Sequence, residues 1–137
     1  MRRNINFLLL ALLSLICLNT VAQENIHMIK MESEMLRLIS SPDKDAFTEV
    51  VEELKAECQK QGNERLFYKA WGNQSTYEAT HQNYMLAEEI ADQIAAYAEE
   101  QNSYWGNYIA LHTKAVNALQ KQDYKTAEEG FKNIGVR

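Results

Sequence analysis

Residues 123–134, DYKTAEEGFKNI, and residues 83–94, NYMLAEEIADQI, share one pattern of aromatic, small and apolar residues. Each stretch has a tyrosine, an alanine three residues later and two glutamates directly after that alanine. An apolar residue follows four positions after the alanine, and an isoleucine three positions after that. Residues three and four apart share one face of an α-helix, so each stretch predicts an amphipathic helix. The copies begin at Asn83 and Asp123, and their agreement position by position indicates an internal repeat.

The same helical spacing of apolar residues continues through the chain after residue 22. This part contains one proline, few glycines and many good helix formers such as Ala, Glu, Lys, Gln and Leu. Ser41 and Pro42 are expected to open a helix, and Gly62 and Asn63 to close it. The predicted helices cover residues 25–40, 42–60, 64–81, 83–100, 104–121 and 123 onward. We therefore expect an all-α fold of antiparallel helix hairpins stacked as a short solenoid.

The segment 1–22 has the composition of a secretory signal. Arg2 and Arg3 precede an apolar run over residues 7–18, and Thr20 and Ala22 are small residues before Gln23. This pattern favours cleavage after Ala22, which leaves residues 23–137 as one helical domain. An uncleaved membrane anchor is the alternative, although the run is shorter than the ~20 apolar residues of a typical spanning helix. We predict a periplasmic or secreted protein.

Charge and composition argue against several functional classes. The formal net charge is −5, and it becomes −7 when Arg2 and Arg3 leave with the signal, so nucleic acid is not an expected partner. Cys58 lies on one helical face with Val51 and Leu54, which favours a small buried side chain over a reactive thiol. The three histidines are not spaced as metal ligands; they are His27, His81 and His112. We expect no catalytic, cofactor or metal site, and a protein that is not an enzyme.

The two repeated stretches resemble the tetratricopeptide repeat, a helix hairpin of about 34 residues. The resemblance implies that Ala87 and Ala127 lie where helices cross closely, and that Ser75 and Ala115 occupy the small-residue position of the first helix. The period in this chain is longer than the family unit, and we expect the additional residues in the turn around EEQNSYWGN, residues 99–107. Further positions that match the family pattern are Trp71, Tyr84, Ala91, Leu111, Tyr124 and Phe131.

A signal, an acidic helical region and tetratricopeptide-like hairpins together resemble the periplasmic sensory regions of two-component sensor histidine kinases. In that family a membrane helix and a cytoplasmic kinase follow the repeats. The 137 residues of this chain contain no ATP-binding glycine motif, so kinase activity is not expected. Phe131 and Ile134 are expected to form an open repeat end, as in the front of a longer protein. The alternative is a free-standing secreted helical adaptor that dimerises through its last hairpin.

A partner-binding site is predicted around the turn that contains Tyr104 and Trp105. A short solenoid presents a concave groove where peptides bind, and aromatic side chains at a turn are expected to be exposed. Asn73, Asn107 and Lys114 are predicted to orient a peptide main chain in that groove. Trp71, Tyr77 and Tyr108 are interpreted as residues that pack between helices. The expected partner is a protein or peptide, including a second copy of the chain.

Overall fold

The structure, a computed structural model, describes residues 2–135 and contains six α-helices with no strand among those residues. The expected all-α fold is confirmed. The helices are α1 (Arg2–Leu38), α2 (Lys44–Gln61), α3 (Glu64–Thr80), α4 (Tyr84–Glu100), α5 (Tyr104–Gln120) and α6 (Tyr124–Asn133).

The helices stack as consecutive hairpins. Each helix packs against the next one along the chain, and α3 also packs directly against α5. At the other end of the stack, Glu32 and Met35 of α1 contact Lys69 and Asn73 of α3. The first helices of the three hairpins therefore lie side by side, with α3 in the middle.

The connections between helices recur at a constant interval along the chain. Left-handed backbone at Gly62, Gln82, Asn102 and Gln122 closes the four turns between α2 and α6. The next residue is the N-cap of the following helix, at Asn63, Asn83, Ser103 and Asp123. Because α3, α4 and α5 each have 17 residues, one repeat period consists of two long helices and two short turns. The expectation of a lengthened turn around residues 99–107 is therefore wrong, and the additional residues lie in the helices.

The start of α2 also differs from the prediction. Asp43 is the N-cap, and its carboxylate accepts a hydrogen bond from the Ala46 backbone N–H at 3.0 Å. Ser41 instead accepts from the Asp43 backbone N–H at 3.1 Å, so its hydroxyl shapes the loop before the helix. Gly62 ends α2 as predicted, whereas Asn63 caps the start of α3 by accepting from the Leu66 N–H at 3.2 Å. Helix N-caps favour short polar side chains for this hydrogen bond.

Small residues are buried where the helices cross, as the repeat pattern implies. Ser75, Ala87, Ala115 and Ala127 are all buried. Gly106 marks an additional close crossing that was not predicted from the sequence: a Cβ there would lie 2.5 Å from that of Ala98. The core cluster runs from α1 to α5 and includes Met28, Met31, Met35, Leu38, Phe47, Val51, Leu54, Phe67, Tyr68, Tyr77 and Ile94.

Cys58 is buried as predicted, with 1% of its surface exposed. Desolvation by burial, assisted by the negative charges of Glu32 and Glu57, raises the pKa of its thiol to about 11. A thiol in that state is protonated at neutral pH, which fits a packing role.

Helix α1 begins earlier than the predicted residue 25 and is continuous from Arg2 to Leu38. Among the residues of α1 whose side chains are described, Met28 is the first that is buried, and the large apolar side chains between Ile5 and Leu18 are exposed. By length and composition, this helix is long and apolar enough to cross a membrane. A cleavable signal and an N-terminal anchor share those features, so α1 fits either interpretation.

Candidate functional site

An open groove of about 780 Å³ lies across α1, α3 and α5. Its walls come from the first helix of each hairpin. The lining residues are Glu32, Leu36, Arg65, Leu66, Lys69, Gly72, Asn73, Thr76, Tyr104, Trp105, Tyr108, Ile109, His112, Thr113 and Val116. A concave site with an apolar lining and a few polar groups is the usual form of a binding site.

A row of rings on α5 forms one wall of the groove. The ring centroids of Tyr104 and Trp105 are 5.5 Å apart, and those of Trp105 and Tyr108 are 6.2 Å apart. His112 continues the row, with its ring nearly parallel to that of Tyr108. Tyr104 is 74% exposed, while Trp105 and Tyr108 are half-buried. The row therefore offers apolar surface together with the polar edges of tyrosine and tryptophan.

The opposite wall carries charged side chains from α3 and α1. The guanidinium carbon of Arg65 lies 4.8 Å from the centroid of the Trp105 ring, a cation–π contact. Lys69 donates to the Glu32 carboxylate at 2.6 Å. The Asn73 side-chain amide lies between the helices, and its contact with the Met35 sulfur is long, at 3.9 Å. Because a thioether is a weak acceptor, much of the Asn73 hydrogen-bonding capacity is free for a ligand.

The floor of the groove depends on Gly72. A Cβ at this position would lie 2.8 Å from the Thr113 Oγ1 atom and 3.1 Å from the Ile109 Cγ2 atom. The absence of a side chain lets α3 and α5 approach closely at the centre of the site. This glycine therefore fixes the distance between the two walls.

The structure brings three of the five predicted partner-binding residues together. Asn73, Tyr104 and Trp105 line the groove, whereas Asn107 and Lys114 lie in a separate shallow cleft between α4 and α5. Lys114 forms an ion pair with Asp92 of α4 at 2.8 Å. Successive helical residues point about 100° apart, which separates positions 104 and 105 from positions 107 and 114.

The charged wall was not predicted from the sequence. Arg65 and Trp105 are separated by one full repeat period and therefore occupy equivalent positions in consecutive hairpins. Since stacked hairpins place equivalent positions side by side, subtracting the period from Trp105 identifies Arg65 as its neighbour.

The aromatic residues predicted to pack between helices do so to different degrees. Tyr77 is buried, its ring stacks on that of Phe47 at 4.3 Å, and its hydroxyl donates to the Ser41 carbonyl. Trp71 is half-buried against Phe67 and lies under the Lys55 ammonium, 4.8 Å from it. Tyr108 contributes to the groove as well as to packing.

The predicted open repeat end is only partly exposed. Phe131 and Ile134 are both half-buried. The Phe131 ring meets the His112 ring edge-on, with centroids 5.9 Å apart. The last hairpin thus packs its aromatic residue against α5, close to the end of the aromatic row.

Among residues 2–135, no group of three or more His, Cys, Asp or Glu side chains is arranged to hold a metal ion. Comparison with protein-family models, with curated proteins and with solved structures finds no match to this chain.

Proposed function

We propose that this chain is an exported interaction scaffold that holds a segment of a protein partner in the groove of α1, α3 and α5. The observation that carries the proposal is the row of Tyr104, Trp105 and Tyr108 along one open wall of that groove. Binding energy at protein interfaces concentrates in tryptophan, tyrosine and arginine side chains, and all three types meet here.

The shape of the groove supports a peptide-sized occupant. The groove lined by α1, α3 and α5 is open to solvent, and a partner segment can enter it without unfolding the scaffold. The Asn73 amide stands in the middle of the groove, where it can donate to and accept from a peptide backbone. Aromatic side chains lose little conformational entropy on binding, so the exposed Tyr104 is well suited to a contact.

The N-terminal region supports export. Its charge pattern, apolar run and small residues before Gln23 match a secretory signal, and the buried residues of α1 begin only at Met28. Within this proposal, the tetratricopeptide-like repeat serves as the sensory or partner-binding region of a periplasmic signal-transduction receptor, as the two-component resemblance implies. No catalytic step is part of it.

The test is site-specific photocrosslinking in cells that produce and export the protein. A photoreactive amino acid replaces Tyr104 in one variant and Asn107 in the matched control, which lies on the same helix but faces the α4 cleft. We expect one defined crosslinked product from position 104 and none from position 107. Equal crosslinking from both positions, or none from either, would contradict the proposal.

A further inference from the structure

We infer that the groove selects acidic segments: its occupant carries an aspartate or glutamate next to an aromatic or aliphatic side chain. This inference rests on the proposed function. It starts from the charges that line the groove, which are Arg65 and Lys69 against the single carboxylate of Glu32. The chain as a whole has 19 acidic residues and 14 basic ones, so the groove has the opposite balance.

The other clefts of the described surface do not share this balance. The cleft over α4 is lined by Glu88, Glu89 and Asp92, and the two neighbouring cations, Lys121 and Lys114, are already ion-paired with Glu88 and Asp92. In the cleft between α4 and α5, Lys114 is matched by Glu99. Among these clefts, the groove is the one with more cations than carboxylates in its lining, so charge complementarity favours an acidic segment there and gives orientation and partner choice.

Arg65 is the cation best placed to bind a carboxylate. Its guanidinium faces the Trp105 ring, and no carboxylate within residues 2–135 forms an ion pair with it. Stacking on an aromatic ring leaves the edge donors of a guanidinium free for a bidentate contact with a carboxylate. Lys69 uses one interaction for Glu32, and its ammonium has further donors for a second carboxylate.

The same geometry places an apolar side chain beside the carboxylate. Arg65 and Trp105 are in contact, so a peptide carboxylate bound to Arg65 lies close to the aromatic row. An extended peptide rises about 3.3 Å per residue, so the peptide side chain that packs on the row is one or two residues away from the acidic residue. Asn73 also lines the groove, where its amide is available to a peptide backbone. The occupant thus presents its acid and its apolar residue as near neighbours in sequence.

The experiment uses the full chain in nonionic detergent and three pools of fluorescent decapeptides. The pools have identical aromatic and aliphatic content, and their remaining positions are Asp or Glu, Lys or Arg, or Ser or Gln. Fluorescence anisotropy measures binding at low salt and at about 0.5 M salt, where exposed charge pairs are strongly screened. We expect the acidic pool to bind about tenfold more tightly than the neutral pool at low salt, since each exposed pair contributes a small factor.

Two matched variants assign the effect to the groove. Lys69→Gln and Lys114→Gln each break one surface ion pair, with Glu32 and Asp92 respectively, but only Lys69 lines the groove. We expect Arg65→Gln and Lys69→Gln to remove most of the preference for acidic peptides, and Lys114→Gln to leave it unchanged. Equal binding of the neutral and acidic pools would overturn the inference while leaving a peptide groove intact. Binding of no pool would overturn both the inference and the proposed function.

Discussion

The Asn117 side-chain amide on α5 donates a hydrogen bond to the Ser75 hydroxyl on α3 at 2.8 Å. The Ser75 hydroxyl in turn donates to the Ala87 carbonyl of α4 at 2.5 Å. Both side chains are buried, so one chain of hydrogen bonds joins α3, α4 and α5 below the groove. The Asn117 Oδ1 atom has no hydrogen-bond partner among the described residues, so the network is only partly satisfied. Such a network fixes how the helices align rather than adding much net stability.

The network predicts coupling between its two side chains. Ser75→Ala leaves the buried Asn117 amide with only its longer hydrogen bond, to the Ala87 carbonyl at 3.3 Å, and should lower the free energy of unfolding by about 1–3 kcal/mol. Asn117→Ala should cost a similar amount. The double variant should cost less than the sum of the single changes, because no donor is then left unpaired. Urea unfolding measures these differences, with Asn107→Ala as an exposed control on the same helix. Strict additivity would contradict the coupling.

Replacement of Gly106 by alanine is expected to destabilise the protein, which is the opposite of what helix propensity predicts. Alanine is normally the better helix former by about 1 kcal/mol, so propensity alone expects Gly106→Ala to stabilise α5. The new Cβ would lie 2.5 Å from the Ala98 Cβ and 2.6 Å from the Tyr68 ring, so we expect a loss of about 1–3 kcal/mol instead. Thermal unfolding distinguishes the two signs. Gly62→Ala is the control, because a Cβ there meets no atom and the cost is only that of left-handed backbone.

The N-terminal segment is expected to be dispensable for the fold. Its large apolar side chains from Ile5 to Leu18 are exposed, and the core residues of α1 include Met28, Met31 and Met35, so removal of residues 1–22 should leave the unfolding midpoint of the helical domain within a few degrees. Removal of residues 1–35 takes away Met28, Met31 and Met35, and should lower the midpoint strongly. Circular dichroism on heating tests both. A large loss from the shorter deletion would show that the segment supports the fold.

The Cys58 thiol is expected to react slowly until the chain unfolds. Its pKa of about 11 lowers the thiolate fraction near neutral pH by roughly 100-fold relative to a free thiol. The measurement is the rate of disulfide exchange with an aromatic disulfide reagent, in a Cys17→Ser background that removes the exposed cysteine. We expect native protein to react at least ~100-fold more slowly than protein in urea. Similar rates would mean that the thiolate forms readily in the folded state.

The raised thiol pKa also predicts a change of stability with pH. Because the folded state holds the proton more tightly than the unfolded state, the stabilisation is complete below pH 9 and is lost as the pH rises toward 11. Burial also raises the pKa values of Tyr68 and Tyr77, so part of the loss comes from them. Cys58→Val should reduce the decline in unfolding free energy between pH 9 and pH 11, and a decline identical to that of the parent chain would contradict the assignment.

Local patterns in the sequence predicted the helices well. Gly62 and the tyrosine-alanine motif act through neighbouring residues, so their consequences are readable along the chain. The start of α2 was misplaced because Ser41 and Asp43 are both good cap residues two positions apart, and only the loop geometry chooses between them. The extra length of the period was assigned to a turn because no sequence signal distinguishes a longer helix from a longer turn near residues 99–107.

The site was only half predictable for a different reason. Tyr104 and Trp105 are predictable because aromatic side chains at a turn are expected to be exposed, but the rotation of the helix places Asn107 and Lys114 on a different face. Arg65 belongs to another hairpin, and its place beside Trp105 depends on how hairpins stack. Contacts of this kind follow from tertiary packing, which a local pattern does not contain.

Tyr104, the exposed end of the aromatic row, is expected to bind a partner without being required for folding. Tyr104→Ala tests it most directly, because Tyr104 is 74% exposed and contributes little to the core. We predict that the variant keeps the unfolding midpoint of the parent chain and loses about tenfold or more in affinity for the groove-bound segment, as expected for an interface aromatic. Unchanged affinity, or a lowered midpoint, would contradict the account.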